Sequence, residues 1–165
     1  MLGLTELGTI HTAISLVALV AGAIVLVRDK KIVWTNTVGK IYIITTALTC
    51  LTSFGIYQHG GFGAPHVLSI LTLLLLLVAL FGEKHVNLLG SITPYVVVVA
   101  YSATYLFHFV AGITETLTRV PVAEPWASSP ADPKLKLILG LVFLLFVVSS
   151  TLQVLTLRKV LHTKV

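Results

Sequence analysis

Charge is scarce in this chain. Only 10% of its 165 residues are Asp, Glu, Lys or Arg, against roughly a quarter in a soluble domain. Cysteine occurs once, as Cys50, so no intrachain disulfide and no thiolate cluster can form. Cys50 falls inside an apolar segment and reads as a small packed hydrophobe. The basic residues make no element long enough to track a nucleic-acid backbone, and no recognition motif accompanies them, so nucleic acid is excluded as a partner. The first apolar run is led by Glu6 with no basic residue before it, which is not the pattern of a removable signal peptide.

What the chain has instead is hydrocarbon. Residues of the hydrophobic set make up 56% of it. Apolar runs recur at Ile10–Val27, Ile41–Tyr57, Val67–Phe81, Ile92–Ile113 and Leu137–Leu157. A membrane-crossing helix needs about 20 residues, and the two shorter runs reach that length if Gly39, Lys40, Gly63 to His66 and Gly82 lie at headgroup level. Backbone in lipid must satisfy its own hydrogen bonds, which predicts an all-α, polytopic transmembrane bundle in a single domain over residues 1–165. Five helices are expected, or four if the last segment lies aside. Three glycines and Pro65 between helices two and three predict a tight turn. The longest connection, residues 114–133, carries Pro121, Pro125, Pro130 and Pro133 with Trp126 among them. It reads as an outer loop over the bundle mouth.

Charge then sets orientation. With the amino terminus outside, the inner segments sum to +6 and the outer ones to −1, recovering the formal +5. The positive-inside rule therefore predicts an outer amino terminus and a cytoplasmic carboxyl terminus, with anionic lipid as a partner of the basic face. Trp34 is expected as an interfacial anchor.

On this serpentine, four of the six histidines reach the outer side: His11, His59, His66 and His108. Histidine is uncommon in membrane helices, because each ring needs a hydrogen-bond partner, a proton or a metal. The expected depths of His11, His66 and His108 differ by only a few ångströms at about 1.5 Å per residue. His85 and His162 fall on the inner side and read as surface histidines.

Three chemistries could use such a cluster. A b haem takes two facing imidazoles, for which His11, His66 and His108 are candidates, with Tyr101 and Tyr105 on the same stripe of helix four able to stack on the ring or bond a ligand. A zinc or copper ion would draw on His11, His59, His66 and His108 together. A proton relay or gate needs no cofactor. Glu115, seven residues after His108, could orient a ligand histidine or accept a proton. Haem with electron transfer is the first expectation, with a quinol or a redox protein as donor. Metal handling or metal catalysis, and a transporter, relay or assembly subunit, are the alternatives. Phe62 and Trp126 could dip into the interface as a lid. The hydroxyl strip Thr45, Thr46, Thr49, Thr52 and Ser53 of helix two is expected to bond its own backbone and aid helix contact, or to form a homodimer face. Gln153 could meet a quinone headgroup or a neighbouring helix.

From His11 to Phe81, under half of the chain, the sequence resembles a poorly characterised family of small bacterial multi-pass membrane proteins. The matching features are His11 in helix one, the basic loop Arg28 to Lys31, Gly39-Lys40-Ile41-Tyr42 opening helix two, and His66-Val67-Leu68-Ser69 opening helix three. Relatives often carry His-Arg shortly before the glycine; this chain has Thr35-Asn36-Thr37 there, which leaves any role of that pair absent or altered. The layout is similar to that of small haem-bearing membrane cytochromes and membrane-bound oxidase assembly proteins. The resemblance implies a haem or copper connection and a prokaryotic plasma membrane.

Overall fold

The computed structural model describes residues 5–57, 61–86 and 89–162, and their regular structure is entirely helical. Five α-helices follow one another: α1 Glu6–Asp29, α2 Thr37–Ser53, α3 Ala64–Lys84, α4 Thr93–Leu117 and α5 Pro133–His162, with a 3-10 turn at Gly90–Ile92 leading into α4. Each of the five apolar runs supplies one helix. Four of them are long and apolar enough to cross a membrane. The exception is α2, whose 17 residues extend about 25 Å and carry the hydroxyl strip.

Two boundaries differ from the sequence expectation. Helix α2 stops at Ser53 instead of reaching Tyr57, because the amides of Gly55 and Ile56 turn back to the carbonyls of Thr52 and Ser53. Helix α4 continues to Leu117 instead of closing near Ile113. Its last turn is held by a Glu115–Arg119 ion pair at 2.5 Å and by Thr118, whose amide and hydroxyl both donate to the Thr114 carbonyl. Glu115 is thus a helical residue, and the connection from α4 to α5 is residues 118–132.

The helix starts are chemically marked. Thr5 accepts the Gly8 amide at 3.0 Å, and Asn36 accepts the Gly39 amide at 2.7 Å, so each side chain satisfies a donor that the helix leaves open. Asp132 does the same before α5, accepting the Lys134 amide at 2.9 Å. Pro65 occupies the first turn of α3, where its missing N–H costs nothing.

Consecutive helices pack in order, and α1 also touches α4, which closes a four-helix bundle with α5 laid against α4. Cross-helix pairs give the directions. His11 near the start of α1 meets Thr52 near the end of α2, and Glu83 at the end of α3 meets Tyr101 in the first half of α4. The core is built on small residues, Ala18 and Ala21 of α1, Ala79 of α3 and Ala100 of α4, around the fully buried Tyr42 and Tyr101. A Cβ on Gly82 would stand 2.6 Å from Val97 Cγ2, and one on Gly22 would stand 2.5 Å from the Tyr105 ring. Both glycines permit an approach that any side chain would prevent. Large apolar residues point outward instead, including Leu16, Val20 and Ile24 of α1 and Leu144, Leu145 and Leu152 of α5. That inside-out distribution suits helices whose outer surface meets lipid.

Candidate functional site

Two polar stripes face each other between α2 and α4. On α2 the buried positions include Tyr42, Thr46, Thr49 and Ser53, which recur at helical spacing. On α4 the buried Tyr101, Thr104 and His108 recur at three and four residues. The stripes interlock. His108 Nε2 lies 2.9 Å from Thr46 Oγ1, and Tyr42 Oη lies 2.7 Å from Thr104 Oγ1. Thr104 spends its hydrogen on the Tyr101 carbonyl at 2.7 Å, so the Tyr42 hydroxyl is the donor of the pair. The edge of the Tyr42 ring also packs against His108, with centroids 6.1 Å apart.

Beyond His108, at the carboxyl-terminal end of α2, stands His11. Its Nδ1 lies 3.0 Å from Thr52 Oγ1. The Thr52 hydroxyl already donates to the carbonyls of Leu48 and Thr49, so the Nδ1–H of His11 donates and its Nε2 lone pair remains available. His108 and Glu115 both lie within electrostatic reach of His11.

The opposite end closes on a carboxylate. Tyr101 donates its hydroxyl to Glu83 Oε2 at 2.9 Å, and the Trp34 amide donates to both Glu83 oxygens at 2.9 and 3.0 Å. Glu83 therefore turns back into the bundle from the last turn of α3. Nearby, Gln153 of α5 accepts the Ser102 hydroxyl and donates to the Lys30 carbonyl, both at 2.7 Å.

His66 stands apart from the seam. Its Nδ1 accepts the Gly63 amide at 3.1 Å, one half of a capping box at the start of α3. The ring stacks with Tyr57 and Phe62 at centroid distances of 5.2 and 5.0 Å, and more remotely with Phe54 at 6.4 Å. It is 4% exposed, and its Nε2 has no hydrogen-bond partner among the described residues.

The expected shared depth of the histidines is corrected by these positions. His66 is the third residue of α3 and His11 the sixth of α1, whereas His108 lies nine residues before the end of α4. The extension of α4 to Leu117 accounts for the difference. Thr46 and Thr52, which hold His108 and His11, are six residues apart on α2, about 9 Å along the axis. Among the described residues, no group of three or more His, Cys, Asp or Glu side chains could hold a metal ion. The expected His11–His66–His108 ligand set is not assembled, and His59 lies outside the described residues.

The donor chemistry also bears on haem. A ligand imidazole binds through one nitrogen while the other makes a hydrogen bond. His11 has that arrangement. His108 commits Nε2 to Thr46, and His66 commits its Nδ1 lone pair to Gly63, which leaves the neutral ring's hydrogen on Nε2 as a donor. His66 is therefore the one of the three whose bonded nitrogen leaves no lone pair for a metal. Tyr101 and Tyr105 share a stripe of α4 but serve different partners, since Tyr105 donates to the Leu19 carbonyl at 3.1 Å. His85 is exposed and stacks on Phe81 at 6.3 Å, while His162 is the last residue of α5.

Sequence reasoning did not single out Thr104 or Glu83, and it named Tyr42 only within Gly39-Lys40-Ile41-Tyr42. Glu83 adjoins Lys84 at a helix end and reads as a solvated turn. The recurrence of Tyr42, Thr46, Thr49 and Ser53 at core spacing was the available signal for the others. Compared with protein-family models, curated proteins and solved structures, the chain finds no match in any of the three.

Proposed function

We propose that the protein is a membrane-embedded proton relay, moving protons along the α2–α4 seam between the histidine pair and Glu83. The observation that carries this reading is the succession of three hydrogen-bonded pairs along the seam, from an imidazole at one end to a carboxylate at the other: His108–Thr46, Tyr42–Thr104 and Tyr101–Glu83. Ionisable groups within membrane helices are expensive to keep, and proton pathways are among their commonest uses. The charge bias puts the histidines at the outer face and Glu83 at the cytoplasmic face. Glu115 would raise the local proton concentration beside His11. His11 Nε2 would accept the proton and His108 take it further in, where rotation of the Thr46, Tyr42 and Thr104 hydroxyls extends the path. Tyr101 would deliver its hydrogen to Glu83 and recover one from the seam. Trp34 and Tyr101 together hold the Glu83 carboxylate in place to receive it.

The test is proton flux in liposomes containing a trapped pH-sensitive dye. Wild-type protein should dissipate an imposed pH gradient faster than empty liposomes. Glu83→Gln and His108→Ala should each slow it on the order of a hundredfold, the scale of a lost proton-transfer group. Flux equal in wild type, both variants and empty liposomes would overturn the relay. A purified protein carrying a Soret band, lost in His11→Ala, would replace it with the haem reading.

A further inference from the structure

His66 is buried, is no part of the α2–α4 seam and has an unspent hydrogen. Its Nδ1 lone pair is taken by the Gly63 amide at 3.1 Å. In the neutral ring the hydrogen must then sit on Nε2, where no oxygen or nitrogen of the described residues receives it. A buried donor left unmatched costs roughly 1–3 kcal/mol, so the surroundings of Nε2 favour a molecule that brings an acceptor. A metal ion is the wrong occupant, since it requires a lone pair where this nitrogen carries hydrogen. An anion is disfavoured as well: beside the ring stand Phe54, Tyr57 and Phe62, with no cation among them.

The aromatic neighbours narrow the ligand further. Tyr57 and Phe62 lie within 27° of parallel to the imidazole and are themselves 57% and 64% exposed. Exposed, flat, apolar faces next to a hidden donor are suited to a planar ring that extends the stack and presents an oxygen to Nε2. His66 is in the first turn of α3, so this corner lies at an end of the bundle.

We infer that His66, Tyr57 and Phe62 form a binding site for a neutral, lipid-soluble carbonyl compound, whose oxygen accepts the Nε2 hydrogen and whose ring joins the aromatic stack. A quinone headgroup has both features, and the ester carbonyl of a phospholipid has the first. The inference does not rest on the relay reading, because none of these residues belongs to the seam.

Binding of a short-chain benzoquinone and of a short-chain phosphatidylcholine to the detergent-solubilised full chain is the test, read by titration calorimetry and by the ¹⁵N–¹H resonance of His66 Nε2. Saturable quinone binding with a downfield shift of that resonance is expected. His66→Phe keeps the stack but loses the donor, and should weaken binding about tenfold, as the loss of one hydrogen bond to a neutral group implies. His66→Gln restores an N–H near the same position and should recover part of it. Phe62→Leu should weaken the quinone but not the phospholipid. Phospholipid binding alone, with the same His66 dependence, would keep the carbonyl chemistry and make the lipid its source. Binding unchanged in His66→Phe, or no binding of either compound by a wild type of native helical content, would overturn the site.

Discussion

His11, His66 and His108 show how one residue type acquires three roles from its neighbours. His11 gives its Nδ1 hydrogen to Thr52 and keeps a free lone pair, so it can accept a proton. His108 shares Nε2 with Thr46 deep in the seam, so it can pass one on. His66 has only a hydrogen to offer. The assignments of His11 and His66 follow from where the Thr52 hydroxyl and the Gly63 amide spend their own hydrogens. Asp132, in the connection before α5, shows the same logic with charge. The Ser128 amide, followed by the Lys134 amide, holds its carboxyl below the ordinary carboxylate range. Its ionised form is therefore the one the folded loop favours. That contribution is whole above the ordinary pKa of about 4 and is lost as pH falls through the lower folded value. Hydrogen exchange at Ser128 and Lys134, corrected for intrinsic rates, should quicken between neutral pH and about pH 3. In Asp132→Asn it should already be quicker at neutral pH and change little in acid. Equal, pH-independent exchange in both proteins would contradict this account of the loop.

Among the elements, α2 is the informative one. It is the shortest helix and, with Thr46, Thr49 and Ser53 buried, polar on its inner face. The expectation that its hydroxyls bond their own backbone holds for Thr45, Thr49, Thr52 and Ser53. The same strip also meets His11 and His108: Thr52 accepts from His11 while its own hydrogen stays with the helix, and Thr46 shares a hydrogen bond with His108. Close helix approach is set elsewhere, at Gly82 and Gly22. Gly82→Ala would drive a methyl to 2.6 Å from Val97 Cγ2 and push α3 from α4. It should lower the melting temperature in detergent and loosen the Tyr101–Glu83 bond. Adding Val97→Ala removes the obstructing methyl and should recover much of the loss. No difference between Gly82→Ala and wild type would show that α3 and α4 can part without cost.

For the whole molecule, the number of helices and their apolar outer surfaces are legible in the sequence alone. Long apolar runs allow few other folds in lipid. The site was only partly readable. His11 and His108 stood out as rare residue types, but their separation in depth depends on how far α4 continues, and that is decided by Glu115, Arg119 and Thr118 at its end. Glu83 was hidden because sequence cannot show that a carboxylate beside Lys84 folds inward to Tyr101 and the Trp34 amide. His66 looked like a ligand until the Gly63 amide fixed which nitrogen bears hydrogen. With five antiparallel helices and the inner segments at +6, the two termini should lie on opposite sides. A carboxyl-terminal tag should be inaccessible to protease in intact cells, and an amino-terminal tag should be cleaved. Cleavage of the carboxyl-terminal tag alone would invert the topology and with it the direction of the relay.

The central claim is that protonation at the histidine end is felt by Glu83 through Thr46 and Tyr42. Infrared difference spectroscopy on reconstituted vesicles, with the pH dropped only on the side facing His11, tests it most directly. The account predicts a new protonated-carboxyl stretching band that disappears in Glu83→Gln. In Thr46→Val, which leaves His108 Nε2 without its hydroxyl partner, the band should grow at least about tenfold more slowly, and Thr46→Ser should restore the rate. A carboxyl band that rises equally fast in Thr46→Val, or that persists in Glu83→Gln, would contradict it.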